Sequence, residues 1–503
     1  MNPGLPQAAA RMRVATITDQ FTHNSFRQEF DAIPIEPSNW AELFERHAPQ
    51  ALFCESAWTG LDLTRKPWRG GIHSYGHPAR RQALKNILLH CRARGIPTIF
   101  WNKEDPAFYR DPKTDFSQTA AVFDFLFTSA EECVDRYQQD YGRRALVLPF
   151  AANQHMFNPV ETAHRSSSLV FAGSWYPQFP QRSREMDSIL DQFIQDGSGI
   201  EIRTRFHGPD EPLNQWPVKY RPYLRPGVPH DLMPAVYKSS RFGLNINTTT
   251  DSRTMFARRV FELMACNTLV VSNYSIGMKV FFGDLAVYAD REPDRLRALR
   301  DDEIDALRQA ALLRVLRDHT YAHRWRRILS ALGMPMPSER PSIAWICAVQ
   351  TVDAGREAIA RFKAGPGPDF PRAGDAGPPS DWLAGIVLLP QTPLSAQDLQ
   401  DLARSSADGR IVICRGECLA ASLDHLGARF FLRSSSAELP SAQWIREAGL
   451  HLSYMRAHAL TPACGARYRL TRWLRGQPVL GERALLGMLT TLEGPPAQLV
   501  YPV

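Results

Sequence analysis

With 503 residues, of which 44% are apolar and 22% charged, the chain is too long for one hydrophobic core and too balanced for a disordered or fibrous protein. Lysine and arginine number 59 against 52 acidic residues, and the net charge of +7 suits a soluble surface or attraction of anions such as nucleotides. Residues 1–13 lack a signal-peptide core, and no stretch approaches the ~20 apolar residues that span a bilayer. We therefore expect a cytoplasmic protein, with peripheral contact to a membrane or an assembly machinery left open.

The cysteine pattern agrees with a reducing compartment. No Cys-x-x-Cys pair occurs, and several cysteines lie inside apolar runs, as expected of buried, reduced side chains rather than zinc ligands. The eight cysteines stand at positions 54, 91, 133, 266, 347, 414, 418 and 464.

The first region alternates short apolar runs with amphipathic stretches, which favours a parallel, doubly wound sheet. Strands are predicted at 13–18, 51–54, 97–101, 125–128 and 145–149, and helices at 80–94 and 130–141.

The same alternation begins again after residue 155. Two such Rossmann-like units would enclose a cleft, and ligands bind beyond the carboxyl ends of the strands in sheets of this kind. Strands are predicted at 168–172, 201–206, 242–246 and 269–272, and helices from about 183 and at 231–239, 257–266, 302–317 and 319–332.

A smaller third region shows no chemical motif. It is predicted to hold a strand at 342–349, a helix at 354–363, a Gly- and Pro-rich loop at 364–380 and a strand–helix–strand unit at 384–414. The predicted fold class is therefore α/β, with two Rossmann-like domains followed by a smaller third α/β domain. The predicted boundaries are 1–155, 156–338 and 339–503, and the third domain has no assigned role.

The segment 256–272 carries the most informative chemistry. A helix from about Ala257 would hold Arg258, Arg259 and Glu262 near its N-terminal half. A carboxylate in the first turns of a helix can accept hydrogen bonds from ribose hydroxyls. The arginines, together with backbone N–H groups at the helix start, can neutralise phosphate oxygens.

These residues resemble a segment of GT-B glycosyltransferases, and within them of the spore-maturation-type (CgeB-like) group, which has Arg-x-Phe-Glu-x-x-Ala-Cys-Gly before a strand. The chain supplies Arg259, Phe261, Glu262 and Cys266 but has Asn267 in place of the glycine, and asparagine tolerates the left-handed backbone that ends a helix. Glu262 matches the second glutamate of the E-x7-E pair found in many retaining enzymes. The first glutamate falls on Thr254.

Further segments resemble the donor domain of the same class. Residues 171–177 are similar to its first strand and loop, residues 237–247 to the strand leading into the donor site, and residues 319–324 to the start of the helix that crosses back to the first domain. The resemblance implies two Rossmann-like domains in a GT-B arrangement. It also implies donor-binding residues Gly173, Ser174, Tyr176, Arg182, Asn245, Asn247, Arg258, Arg259 and Glu262.

Segments 17–19, 53–58 and 101–106 resemble the acceptor-side domain. The implied activity is transfer of a hexose-type sugar from a nucleotide-sugar donor to a glycan, protein or lipid-linked acceptor, with no cofactor and no metal, because cationic groups stabilise the leaving diphosphate. An inverting reaction also needs a general base. The candidates at strand ends are Asp19, Glu55, Glu104 and Asp105, and Glu55 is favoured.

Simpler roles and other functions stay open at this stage. Glu262 could only complement a helix dipole, the arginines could be solvated, and Glu55 could cap a helix or form an ion pair. The histidine pairs 73/77 and 319/323 are interpreted as loop or packing residues rather than metal ligands. Alternatives to the enzyme are a non-catalytic scaffold, supported by Thr254, and a nucleic-acid-directed glycosyltransferase, for which no aromatic–basic motif is found.

Overall fold

A computed structural model describes residues 11–73, 75–160, 165–204, 215–336, 342–364, 383–391, 393–405, 409–414, 418–435, 440–455, 459–462, 467–468, 471–472, 478–485 and 498–502. The described residues form two compact units, one within 1–159 and 163–336 and the other within 160–162 and 337–503. The first unit holds both predicted Rossmann-like domains.

The first domain is a six-stranded parallel sheet with strand order β2-β1-β3-β4-β5-β6. Its central strands are apolar on both faces because helices cover both sides of the sheet. The strands are β1 (Arg13–Ile17), β2 (Asp31–Pro34), β3 (Ala51–Glu55), β4 (Thr98–Asn102), β5 (Phe125–Thr128) and β6 (Ala145–Val147). The helices are α1 (Gln20–Phe26), α2 (Trp40–His47), α3 (Pro78–Ala93), α4 (Ser117–Ala120) and α5 (Glu132–Tyr141).

The second domain repeats this plan with strand order β12-β11-β10-β7-β8-β9, again all parallel. Its strands are β7 (Ser166–Gly173), β8 (Ile200–Thr204), β9 (Leu224–Pro226), β10 (Ser240–Asn245), β11 (Leu269–Ser272) and β12 (Val287–Tyr288). Its helices are α6 (Pro180–Gln195), α7 (Met233–Lys238), α8 (Arg259–Ala265), α9 (Ile276–Phe282), α10 (Arg295–Ala298), α11 (Asp301–Asp318) and α12 (Tyr321–Ala331).

Helix α12 returns to the first domain and packs on α1. Trp325 packs against Phe30 with ring centroids 4.6 Å apart and ring planes tilted by 52°, and both belong to one apolar cluster. The Arg324 guanidinium donates to the backbone carbonyls of Pro149 and Phe150, each at 2.8 Å. The two Rossmann-like domains are thereby joined in a GT-B arrangement, as the resemblance implied.

The second unit is a mixed eight-stranded sheet with order β15-β14-β13-β16-β19-β17-β20-β18. The pairs β14–β15, β13–β14 and β13–β16 are parallel, and β16 pairs antiparallel with β19. Its strands are β13 (Ile343–Val349), β14 (Leu383–Pro390), β15 (Ile411–Ile413), β16 (Phe430–Ser435), β17 (Ala459–Thr461), β18 (Thr471–Arg472), β19 (Val479–Glu482) and β20 (Gln498–Pro502). Its helices are α13 (Val352–Ala364), α14 (Ala396–Ser405), α15 (Leu419–His425) and α16 (Ala442–His451).

The predicted strands of both Rossmann-like domains are present, and the fold class is confirmed. Helices α1 and α2 and strands β2, β9 and β12 were not predicted, because short elements carry too few residues to show a periodicity. The predicted end of helix α8 is confirmed, since Asn267 has a left-handed φ of 55°. Residues 205–206 of one predicted strand and the predicted loop 364–380 beyond Ala364 lie outside the described residues.

The described cysteines are all free thiols. Six of them are buried, Cys418 is exposed, and Cys464 lies outside the described residues. Within the described part of the chain, no helix combines the length and the apolar character needed to cross a membrane.

Candidate active site

Two arginines meet at the carboxyl end of β7. Arg182, in the first turn of α6, is only 6% exposed, and Arg259 begins α8. Arg182 Nη1, Arg259 Nε and the hydroxyl of the 3%-exposed Ser174 are all buried without a hydrogen-bond partner among the described residues. Neither arginine forms an ion pair with a carboxylate of the described chain. The three groups, here called the arginine cradle, therefore offer unused donors to an anion.

The end of β7 is shaped so that Arg259 can cross it. The Arg259 guanidinium donates to the carbonyl oxygen of Ala172 and lies 4.8 Å from the ring centroid of Phe171. A Cβ atom on Gly173 would approach the Phe171 ring to 2.7 Å and Arg259 Nη2 to 3.0 Å. Glycine at this position therefore leaves the space in which the guanidinium lies.

The positive charge of Arg182 is held at an energetic cost. Burial, with a smaller effect from the neighbouring charge of Arg259, lowers the pKa of Arg182 to about 10. The Tyr176 ring, 4.7 Å from the guanidinium carbon, gives partial compensation through a cation–π contact. A buried cation such as Arg182, which forms no ion pair with a carboxylate of the described chain, is expected where an anionic ligand completes the site.

Glu262 lies next to the cradle as an ionised, buried carboxylate. It is 4% exposed and receives Arg258 Nε at 3.0 Å and the Tyr237 hydroxyl at 3.3 Å. Burial acts to raise its pKa, but Arg258, His230 and Arg259 outweigh burial and lower the pKa to about 2. Glu262 is thus more than a solvated carboxylate that complements a helix dipole. Its oxygens accept hydrogen bonds from Arg258 and Tyr237 and lie 3.5 Å from His230 Nε2.

A histidine that the sequence did not single out connects Glu262 to the first domain. His230 Nε2 lies 3.5 Å from Glu262 Oε1, while its Nδ1 lies 3.1 Å from the Asn24 side-chain nitrogen. The amide nitrogen of Asn24 can only donate, so this contact assigns the acceptor role to His230 Nδ1. No sequence signal pairs His230 with Asn24, since 206 positions separate them.

The two predicted asparagines lie deeper than the cradle. Asn245 and Asn247 are 0% and 2% exposed, and their amides contact the Ser272 hydroxyl and the Met278 sulfur. Asn247 Oδ1 also accepts the backbone N–H of Ala257 just before α8. In this arrangement both side chains support the loops around the site. Their direct contact with a nucleotide-sugar donor stays a prediction.

On the first domain, Asp19 and Glu55 share a buried lysine. Lys103 Nζ lies 3.2 Å from Glu55 and 3.5 Å from Asp19. Glu55 is 0% exposed and also accepts the Asp19 backbone N–H and the Thr22 hydroxyl. Burial raises the pKa of Glu55 to about 7, against the opposing effect of Lys103.

Asp19 is occupied as a loop anchor. Its carboxylate accepts the backbone N–H groups of Trp58, Thr59 and Gly60 at 2.8–2.9 Å. These bonds fix the chain that follows β3. Asp19 and Glu55 therefore have every oxygen engaged within the protein.

Glu104 differs from these two acids because its side chain is partly exposed. It accepts the Trp58 indole N–H at 2.9 Å, and its pKa is raised chiefly by burial while Lys103 and the Arg258 charge from the second domain oppose that rise. Trp58 is 36% exposed, and its ring packs edge-on against Phe108 at 5.2 Å. An acid of the first domain thus lies within the electrostatic reach of an arginine of the second.

The fourth acid is structural. Asp105 is fully buried and accepts the Thr128 hydroxyl at 2.6 Å, the Asn102 amide at 2.8 Å and the Tyr137 hydroxyl at 3.1 Å. Burial raises its pKa to about 7. This network ties β4, β5 and α5 together.

Thr254, at the position of the first glutamate of E-x7-E, joins the two domains. Its hydroxyl donates to the Ser129 carbonyl at 2.8 Å and accepts the Glu131 backbone N–H at 2.9 Å. The adjacent Arg253 forms an ion pair with Glu131 at 2.7 Å. The threonine is therefore used as an interdomain clasp.

We predict that Thr254→Val lowers the free energy of unfolding by about 1–3 kcal/mol, because it leaves the Ser129 carbonyl and the Glu131 N–H without partners. Thr254→Ser, which keeps the hydroxyl, is the matched control and should stay within about 1 kcal/mol of the parent. Urea denaturation of the full chain measures both. Equal free energies of unfolding for the valine variant and the parent would show that the Thr254 hydroxyl does not stabilise the contact between the domains.

The histidine pairs take separate structural positions. His319 packs against Phe281 and Phe282, and burial lowers its pKa to about 3, while His323 contacts the Thr320 hydroxyl at 2.7 Å. His77 lies directly before α3. Among the described residues, no group of three or more histidine, cysteine or acidic side chains is arranged to hold a metal ion.

Comparison with known proteins supports the class of the second domain. Residues 184–330 match a family described as glycosyl transferase-like. No curated protein sequence matches the chain. The fold and this match define the class: a protein of two Rossmann-like domains, the second of which contains the segment that matches the glycosyl transferase-like family.

Solved structures with similar folds include an alpha-glucosyltransferase in complex with UDP and a 13-mer DNA containing a HMU base, at 10% identity and TM-score 0.45, over 64% of this chain and 100% of that one. A TarM variant from S. aureus in complex with Fondaparinux, alpha-GlcNAc-glycerol and UDP matches at 9% identity and TM-score 0.36, over 56% and 54%. A putative UDP-N-acetylglucosamine 2-epimerase from Listeria monocytogenes matches at 10% and 0.37, over 64% and 96%. At these values the similarities support no conclusion about ligands.

Proposed function

We propose that the chain is a glycosyltransferase that moves a sugar from a nucleotide-sugar donor to a glycan, protein or lipid-linked acceptor without a metal ion. The observation that carries this proposal is the arginine cradle, with its unpartnered donors on Arg182, Arg259 and Ser174. A diphosphate is the anion that suits two adjacent guanidinium groups, because each group can bind phosphate oxygens through paired N–H donors. The glycosyl transferase-like match over residues 184–330 includes Arg259 with helix α8 and begins within α6, two residues after Arg182.

The cradle also suits the chemistry of transfer. When the bond between the sugar C1 and the phosphate oxygen breaks, the bonding electrons stay on the diphosphate. Donors that are already fixed in place stabilise this growing charge without reorganisation, and burial strengthens the attraction. Arg182 and Arg259 would therefore act on the leaving group.

On the acceptor side we assign the general base to Glu104 in place of Glu55. Glu55 is fully buried and bonded to Lys103, Thr22 and the Asp19 backbone, whereas Glu104 is partly exposed beside Trp58. In an inverting transfer the acceptor oxygen bonds to C1 as the diphosphate leaves, and Glu104 would take the acceptor's proton.

Finer features belong to the same proposal. The segment from Arg259 to Cys266 supports a place in the spore-maturation-type (CgeB-like) group, which implies a hexosyl donor, and the free, mostly buried cysteines support a cytoplasmic setting. Peripheral contact with a membrane or an assembly machinery fits the net charge of +7.

Isothermal titration calorimetry with UDP, GDP, CDP, dTDP and ADP, in the presence of EDTA, tests the donor site. We expect at least one diphosphate to bind with a Kd in the micromolar range, about −8 kcal/mol, and its nucleoside to bind at least about 100-fold more weakly. If no diphosphate binds, the proposal fails.

A non-catalytic scaffold is the second candidate, favoured by Thr254, which serves as a clasp where many retaining enzymes carry a glutamate. The scaffold predicts diphosphate binding without any hydrolysis or transfer from the matching nucleotide sugar. Release of free diphosphate in a turnover assay therefore separates the two.

A further inference from the structure

A cavity of about 340 Å³ lies beside the carboxyl ends of β1 and β2 in the first domain. Its walls include Thr16 of β1 and Thr18, the residue that directly follows β1. Ile35, Leu61 and Trp68 also line it. Ligands of parallel α/β sheets bind beyond the carboxyl ends of the strands. The volume lies at the lower end of the range for small-molecule sites and suits a single ring-sized group.

Two hydroxyl groups of this cavity have no partner. Thr16 and Thr18 are 3% and 4% exposed, and neither Oγ1 atom is hydrogen-bonded to any described residue. Because the two residues are two positions apart in extended chain, their side chains share one face. Buried hydroxyls are normally hydrogen-bonded, so this pair indicates a ligand with complementary polar groups.

The charges around the cavity select against anions. The Arg65 guanidinium bonds Glu36 through two nitrogens at 2.8 and 2.9 Å and Asp62 through its Nε at 2.6 Å. Two carboxylates against one guanidinium leave one net negative charge at the wall. A phosphate or nucleotide would be repelled here, in contrast to the arginine cradle, whereas a neutral hydroxyl-rich group would not.

The cavity adjoins the loop of residues 58–62, which carries Trp58. Thr18 directly precedes Asp19, whose carboxylate holds the backbone of residues 58–60, and the same loop continues into Leu61 and Asp62 at the cavity wall. A single loop therefore separates the cavity from Trp58 and Glu104. An acceptor longer than one sugar unit could reach both places.

We propose that this cavity is a subsite for a neutral, hydroxyl-rich unit of the acceptor, namely a sugar ring next to the one that reacts. The inference rests on the proposed function, since it takes the first domain as the acceptor side. The threonine hydroxyls would exchange hydrogen bonds with ring hydroxyls, and the apolar walls of Ile35, Leu61 and Trp68 would cover the ring's C–H surface.

Saturation-transfer NMR on the full chain without donor tests the subsite with methyl β-D-glucopyranoside, methyl α-D-mannopyranoside and N-acetylglucosamine as neutral probes and glucuronate as the anionic one. We expect at least one neutral probe to bind with a Kd of about 1–20 mM, and glucuronate to bind more weakly. Thr18→Val and Thr16→Val keep the side-chain shape and should each weaken the best probe about 5-fold or more. Thr64→Val, on an exposed residue of the same loop outside the cavity wall, is the matched control.

The outcomes separate this inference from the donor site. Arg182→Met should abolish diphosphate binding and leave sugar binding unchanged if both proposals hold. Failure of every neutral probe to bind at about 50 mM, a preference for glucuronate, or equal binding by the parent and both valine variants would each overturn the subsite. Melting temperatures within about 3 °C of the parent confirm that the valine variants are folded.

Discussion

Arg182→Met is expected to lower kcat/KM for the nucleotide-sugar donor by about 100- to 1,000-fold, because it removes one of the two charges that stabilise the leaving diphosphate. Methionine keeps most of the apolar stem of Arg182, so it can still pack against the Tyr176 ring. It lacks the guanidinium nitrogens that would bind the diphosphate. Initial rates at several donor concentrations, with calorimetric Kd values for the free diphosphate, measure the effect.

The same substitution should not destabilise the protein. The folded pKa of Arg182, about 10, lies below its ordinary value of 12.5 because burial disfavours the charged form. Below pH 10 the fold therefore carries the cost of a buried charge, and removing that charge is expected to leave the free energy of unfolding unchanged or higher at pH 7. A loss of activity with a retained or raised Tm is the signature of a binding role.

Arg184→Met is the matched control, because Arg184 lies two residues further along α6 and is exposed. Its activity should stay within about 2-fold of the parent. Because Arg182 and Arg259 act on one anion, the double variant should lose less than the product of the single losses. A loss below about 3-fold for Arg182→Met would contradict the cradle as the diphosphate site.

Glu104→Gln is expected to lower kcat by about 100- to 10,000-fold while leaving the donor Kd within about 2-fold, since the amide cannot accept the proton of the acceptor hydroxyl. Glutamine keeps the acceptor oxygen for the Trp58 indole N–H, so the local structure should survive. Single-turnover rates and donor titrations separate the chemical step from binding.

Glu55→Gln is the contrasting variant. Glu55 holds the Lys103 ammonium at 3.2 Å inside the domain, so its substitution should lower Tm more than it lowers kcat. If Glu55→Gln abolishes the chemical step at an unchanged Tm while Glu104→Gln stays active, the base is Glu55 as the sequence alone suggested.

The pH profile adds an independent measurement for Glu104. Burial raises the pKa of Glu104 above its ordinary value of 4.5, so kcat/KM should fall as the pH is lowered through a midpoint above 4.5. The Trp58 indole N–H lowers this pKa by bonding the ionised form, so Trp58→Phe should move the acidic limb to higher pH. An acidic limb that stays in place in this variant would argue against Glu104 as the titrating base.

The alternation of elements could be predicted from local patterns. Apolar runs such as Leu52–Cys54 and the helical spacing of Leu84, Ile87 and Cys91 depend only on residues within one turn or one strand. The same is true of Asn267, whose left-handed φ of 55° follows the end of α8 at the position where the segment it resembles has glycine. The resemblance also directed attention to Arg182 and Arg259, which the fold brings together at β7.

The roles of the acids could not be predicted in this way. Glu55 ends the apolar strand β3 and Glu104 follows the apolar strand β4, and only packing shows that the first is buried against Lys103 while the second remains partly exposed beside Trp58. Burial and charge pairing are set by neighbours tens of residues away in the chain, so no local pattern reports them.

The sequence by itself thus determined most of the succession of strands and helices, because backbone preferences and apolar periodicity act over short distances, and the resemblance pointed to the cradle arginines. Only the tertiary structure decided that Thr254 clasps Ser129 and Glu131, and that His230 joins Glu262 to Asn24. The contacts of Thr254 and the contact between His230 and Asn24 link residues more than 100 positions apart, and they exist because the two domains pack against each other. Side-chain partnership across such an interface follows from the packing of whole domains, which local residue patterns do not encode.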